Sequence, residues 1–252
     1  ESSRGCPYSC SYCLSSIDKK LRFRNLELVK SELKIFIDHK IPQVKFVDRT
    51  FNCNKKHAME IWRFINENDN GVTNFHFEIS ADIIDEEELA LFKTMRPGLI
   101  QLEIGVQTTN PVTIKEIDRI MNLDKLRYVV EKINSFNNIH QHLDLIAGLP
   151  YEDYNSFVKS FNDVYAMRPE QLQLGFLKVL SGAKMERKSE EYGLVYTTLP
   201  PYEVLTTKWL DYDRVLELKT IENMVEIYYN SRQFTNALAW LENQFETPFK
   251  MF

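Results

Sequence analysis

Strict alternation of strand-like and helix-like segments is the feature that most constrains how this chain folds. Leu26, Val29, Leu33, Phe36 and Ile37 share one face of a helix over residues 24–39. Behind the Pro42 breaker, Gln43 to Val47 alternates as a strand does. Met59, Ile61, Trp62 and Ile65 then mark a helix over 55–67, and Phe75, Phe77 and Ile79 a strand. Asp85, followed by Glu86, Glu87 and Glu88, starts a helix, because the helix dipole favours acids in the first turn. Gly98 separates it from the strand Leu99 to Ile104. A broken helix over 111–136, a strand from Ile139 to Ala147, a helix over 153–167 stopped by Pro169, and a strand from Gln171 to Val179 follow. Counting a short strand at Ser2–Gly5 gives six β/α units, about 26–40 residues apart. Such alternation argues a parallel sheet with right-handed crossovers. Six units are too few for a closed eight-stranded barrel, so the expectation is an α/β fold, a (β/α)6 partial TIM-type barrel, over residues 1–195.

The pattern changes after Pro200-Pro201, where residues 203–228 and 232–245 look helical. This predicts a small helical C-terminal accessory module over 196–252. Hydrophobic residues at 44% allow a sizeable core. No apolar run is long enough to span a bilayer, and no signal peptide is visible. With 31 basic and 36 acidic residues, the chain lacks the charge of a general nucleic-acid binder. Its four cysteines are too few, in too long a chain, for a disulfide framework.

Three of the cysteines lie within eight residues, in Gly5-Cys6-Pro7-Tyr8-Ser9-Cys10-Ser11-Tyr12-Cys13. A C-x3-C-x2-C loop after the first strand can wrap one iron–sulfur cubane. A [4Fe–4S] cluster usually takes four cysteines, and three leave one iron open. Zinc is the competing reading, but structural zinc wants four ligands in paired sets, and Cys53 is the lone candidate for a fourth. Cys53 is expected to be an inert apolar residue and not a ligand. The loop follows the C-terminal end of a barrel strand, where such barrels put active sites. Metal ligation by clustered cysteines suits a reducing cytoplasm.

The spacing of Cys6, Cys10 and Cys13, with Tyr12 before the last cysteine, resembles the defining motif of the radical S-adenosylmethionine (SAM) superfamily. The lead-in Ser3-Arg4-Gly5-Cys6-Pro7 resembles the branch with an N-terminal cobalamin-binding domain. Phe46 to Phe51, Leu102 to Gln107 and Leu143 to Pro150 resemble the motifs after the second, fourth and fifth strands of that family. The resemblance covers residues 1–185, and the tail resembles an accessory domain of an uncharacterised subgroup. It implies a [4Fe–4S] cluster on the three cysteines that binds SAM. One electron from a flavodoxin- or ferredoxin-type donor then cleaves SAM to methionine and a 5′-deoxyadenosyl radical, which takes hydrogen from an unknown substrate.

The resemblance also implies SAM contacts, each set against a plainer role. Tyr12 belongs to the cofactor site by its place in the motif. Asp48 would accept a hydrogen bond from the SAM amino group, or cap a turn, and Arg49 stands where a second acid is common. Glu78 and Ser80 would bond ribose hydroxyls, or face solvent on an alternating strand. Glu103 and Gln107 have a similar place one strand on. Arg119 would clamp the SAM carboxylate, for which a guanidinium is suited, or be a solvated helix charge. Ile146 and Gly148 would approach the adenine, glycine allowing close backbone approach. Lys178 would face substrate, whereas His140 and His142 are expected to be structural. The runner-up readings are a cobalamin-dependent methyltransferase core and a zinc-stabilised, non-catalytic interaction module. Cobalamin enters only through a separate N-terminal domain, because the chain has no Asp-x-His-x-x-Gly stretch. Its first residue, Glu1, lies almost on the first strand, and the chain is expected to be part of a larger cobalamin enzyme.

Overall fold

A computed structural model describes all 252 residues. Strands β3 (Gln43–Lys45), β4 (Asn74–Ile79), β5 (Ile100–Gln107), β6 (His140–Ala147) and β7 (Gln171–Phe176) form one curled sheet in that order. The registers of β3 with β4 and β4 with β5 are parallel. Helices α1 (Leu26–Asp38), α2 (Lys55–Glu67), α3 (Glu86–Lys93), α4 (Pro111–Glu116), α5 (Leu123–Asn134) and α6 (Tyr154–Tyr165) fill the connections, making an α/β partial barrel.

The expected sixth strand is not in this sheet. Residues Ser3–Arg4 (β1) pair antiparallel with Arg22–Phe23 (β2) in a separate ribbon. The cause is local. The N–H groups of Ser2 and Ser3 donate to the Asp48 carboxylate, at 2.9 and 2.5 Å, and so are lost to a parallel ladder.

Two compact units make up the chain. The first comprises residues 1–7, 18–105 and 121–142. Its core is aromatic, with Phe51, Trp62, Phe77 and Phe92 buried. Ring centroids of Phe51 and Phe77 are 4.4 Å apart, and those of Trp62 and Phe92 are 4.8 Å apart. On α2 the expected stripe of Met59, Ile61, Trp62 and Ile65 is buried. On α1 Val29, Leu33 and Ile37 are buried, but Phe36 is exposed. Asp85 opens α3 with a reciprocal capping box to Glu88, as its sequence suggests.

The second unit comprises residues 8–17, 106–120 and 143–252. Short helix α7 (Lys184–Arg187) leads to the hairpin β8 (Val195–Tyr196) and β9 (Val204–Thr206). The helix expected from residue 203 therefore begins only at α8 (Tyr212–Met224), continued by a π-helical turn, Val225–Asn230. The β-branched run from Val204 prefers an extended chain, and Thr207 Oγ1 ends it by accepting the N–H groups of Trp209 and Leu210. Helices α9 (Thr235–Leu241) and α10 (Pro248–Met251) complete the chain. The tail is built into this unit's core: its Val204 is buried with Ile117, Leu149, Leu177, Val179, Met185, Tyr192 and Leu194. It also covers the sheet's edge. Asn230 imitates a strand by accepting the N–H of Leu172 and donating to its carbonyl, both at 2.9 Å.

Candidate functional site

The cysteine loop leaves the β1–β2 ribbon at Gly5, whose φ of +94° suits glycine and whose added Cβ would strike the Lys20 carbonyl oxygen. Cys6 N–H donates to Asp18 O at 3.0 Å, closing the loop at its base. Cys13 N–H donates to Cys10 O at 3.1 Å, turning the chain between those two thiols. Between them, the Ser11 peptide is held on both sides: its N–H donates to Ile117 O and its carbonyl accepts from Met185 N–H, each at 2.9 Å. All four cysteines are free thiols; Cys6 and Cys10 are buried and Cys13 partly so. Soft thiol donors on a fixed, partly buried loop fit an iron–sulfur cluster. No group of three or more Cys, His, Asp or Glu side chains converges as a single metal ion requires. Structural zinc would need a fourth ligand beside these three.

In the second unit, the guanidinium of Arg119 lies against this loop. Its Nη1 is 3.9 Å from Cys10 Sγ and 3.5 Å from Tyr12 Oη. Burial pushes the Cys10 thiol up in pKa, opposed by the charge and hydrogen bond of Arg119. Burial likewise raises the Tyr12 phenol. Tyr12 and Ile146 pack against the same core cluster. Arg119, expected at the SAM carboxylate, makes these two contacts to a thiol and a phenol.

Asp48 is 1% exposed, and its carboxylate accepts from the N–H and hydroxyl groups of both Ser2 and Ser3. It pins the lead-in to the loop. His57 Nε2 lies 3.1 Å from Ser2 Oγ and completes this buried network. Sequence reasoning missed His57, because nothing in its helical pattern announces a contact 55 residues away.

Glu78 and Glu103 are cross-strand partners in register, on the sheet face opposite Phe77 and Leu102. Lys45 Nζ is 3.0 Å from Glu103 and 3.9 Å from Glu78, and His76 Nε2 is 2.9 Å from Glu103. The two carboxyls titrate apart. The His76 hydrogen bond and then Lys45 hold Glu103 down at about 2, while burial and the Glu103 charge push Glu78 up. His142 adds to the positive surroundings of Glu103. Separated carboxyl environments of this kind are how proteins build acid and base roles.

Ser80 is engaged locally: its N–H donates to Asn52 Oδ1 at 2.9 Å and its hydroxyl to Asp82 at 2.7 Å. Gln107 ends β5 with a φ of +73°, a strained conformation for a non-glycine residue and one that clusters at functional sites. Gly148 has a φ of +86°, and the space its Cβ would take is filled by Val204. Both the φ and the packing of the tail thus call for glycine there. Lys178 is exposed, and its backbone forms an isolated antiparallel β-bridge with that of Glu203. Cys53 is partly buried, its thiol pushed up to about 11 by burial and the nearby Cys6, as befits an unreactive residue.

The model of the radical SAM superfamily matches residues 1–164, about two-thirds of the chain. This chain belongs to the radical SAM superfamily. A second model, a protein family of unknown function (DUF4080), matches residues 190–252. Members of the superfamily bind a [4Fe–4S] cluster and SAM, and the thiols just described fit that cluster. The cobalamin-dependent radical SAM methyltransferase TokK of Streptomyces tokunonensis is 27% identical over 96% of this chain and 35% of its own length. An uncharacterised methyltransferase of Pyrococcus horikoshii is 24% identical over 86% of this chain and 46% of its own. The chain thus spans less than half the length of these relatives. The methyltransferase TsrM of Kitasatospora setae, solved with cobalamin and a [4Fe–4S] cluster, shares the fold. Its TM-score is 0.66 at 18% identity, over 79% of this chain and 37% of that one. No helix is long and apolar enough to cross a membrane.

Proposed function

We propose that this chain is the core of a radical SAM enzyme in which Cys6, Cys10 and Cys13 hold a [4Fe–4S] cluster and SAM is cleaved reductively to attack an organic substrate. The observation that carries this reading is the loop itself, with three free thiols on a backbone fixed at its base and at Ser11. When bound, the cluster supplies the electron that breaks a carbon–sulfur bond of SAM. The protein's residues bind and orient. Tyr12 and Ile146 form one apolar wall, Glu78 and Glu103 offer acceptors for ribose hydroxyls, and the strained Gln107 presents its amide at the end of β5. Ser80, Arg119 and Gly148 border the ligand, while Asp48 supports the loop from behind. The reductant is a flavodoxin- or ferredoxin-type protein, and the setting is the cytoplasm. Residues 1–195 are the barrel, and 196–252 an accessory segment that closes its edge.

The reading is tested by anaerobic reconstitution with iron and sulfide. About four irons per chain are expected, with 5′-deoxyadenosine released from SAM under dithionite. Cys6→Ala, Cys10→Ala and Cys13→Ala should each lose the brown chromophore, and Cys53→Ala should keep it. Full iron content in all three loop variants defeats the assignment. Cobalamin-dependent methyl transfer is the second reading, favoured by the names of the relatives. It requires cobalamin from a domain other than this one, and no hydroxocobalamin should bind the chain alone.

A further inference from the structure

We propose that Arg119 is a positioning residue for the cluster, setting its reduction potential through an N–H···S contact to the Cys10 thiolate rather than by holding SAM. The inference rests on the reading that Cys10 is a cluster ligand. Three observations within the second unit carry it. The first is distance: Arg119 Nη1 lies 3.9 Å from Cys10 Sγ, within hydrogen-bonding range for sulfur. The second is aim. The same nitrogen lies 3.5 Å from Tyr12 Oη, so the guanidinium is fastened to the loop at two points rather than extended to solvent. The third is the backbone beneath it. Ser11, between the two contacted residues, donates its N–H to Ile117 O at 2.9 Å, and Arg119 N–H donates to Ile114 O at 3.1 Å. The turn that ends α4 and the thiol loop are thus joined through the main chain, which holds the guanidinium beside Cys10.

The physical effect has a definite sign. Reduction adds one negative charge to the cluster and its thiolates. A cation and an N–H donor at a ligand sulfur stabilise that added charge and raise the potential, hydrogen bonds to the sulfurs being a recognised control. Arg suits the task because it stays charged and presents several donors in a rigid fork. It thereby eases electron entry before SAM is present.

The test is a redox titration of the reconstituted chain, followed by electron paramagnetic resonance, in the absence of SAM. Arg119→Met should make the equilibrium constant for reduction about tenfold less favourable, a shift of about 59 mV to lower potential for one electron. Arg119→Lys, which keeps the charge, should lose no more than about threefold, and Arg119→Gln should fall between them. If the methionine variant does not fold, the ordering of arginine above lysine above glutamine carries the test. Equal potentials for all variants that hold full cluster would overturn the inference, as would a shift that appears only once SAM is added, since that is the behaviour of a carboxylate clamp. A parent chain that takes up no cluster would instead overturn the reading of Cys10 as a ligand, and iron and sulfide counts on the parent separate the two failures.

Discussion

The Asp48 carboxylate accepts from two N–H groups and two hydroxyls of Ser2 and Ser3. Replacing it with alanine strands those donors in a buried setting, where each unmade bond costs roughly 1–3 kcal/mol. Asp48→Ala should therefore lose at least about 3 kcal/mol of stability, with faster hydrogen exchange at residues 2–6 than in the parent; unchanged exchange there would refute the anchoring role. Glu152 makes a different prediction. It is 1% exposed and accepts hydrogen bonds from Thr108 and Ser160, yet burial raises its carboxyl from the usual 4.5 to about 7. The folded state then holds a proton that the unfolded state releases near 4.5. This contribution is fully present below that value and fades as pH rises through about 7, by an amount on the order of 3 kcal/mol. Glu152→Gln should flatten the denaturant midpoint between about pH 4.5 and 7; a variant with the parent's slope would show that Glu152 is not its source. At this scale the sequence marked which positions end strands, but not what meets them. Beside Asp48 and Gly148 stand Ser2, Ser3 and Val204, which lie tens of residues away and leave no trace in local pattern.

Elements were more legible, because period and punctuation are local. The stripe on α2, the acidic start of α3, the break between α4 and α5 and all five sheet strands follow from apolar spacing and caps. The Ser2–Gly5 strand also exists, but its partner is set by Asp48, which no periodicity encodes. The helix expected from residue 203 was misread because the sequence just before α8 mixes β-branched and polar residues without a clear period. Two elements carry predictions. Gly5→Ala would force a Cβ into the Lys20 carbonyl at a left-handed φ, so the chain should lose on the order of 2 kcal/mol or more and load less iron; normal loading and melting would contradict the tightness of that turn. Asn230→Ala should uncap β7, costing about 1–3 kcal/mol by leaving the Leu172 N–H and carbonyl unpaired. Selective loss of exchange protection at Leu172 is the sign to look for.

For the whole molecule, the radical SAM match ends at residue 164 and that of the second family begins at 190, while the second unit's core is made jointly by residues from both sides of that gap. Deleting residues 196–252 should strip Val204 from Leu149, Leu177 and Val179 and leave an apolar face to water. The shortened chain is expected to aggregate or to unfold without a sharp transition; a soluble product melting like the parent would make the tail a truly separate module. The cysteine loop is tied by main-chain bonds, Cys6 to Asp18 at its base and Ser11 to Ile117 and Met185 at its middle. A backbone tie survives most side-chain changes, so the path of the loop can persist while the residues that brace it vary.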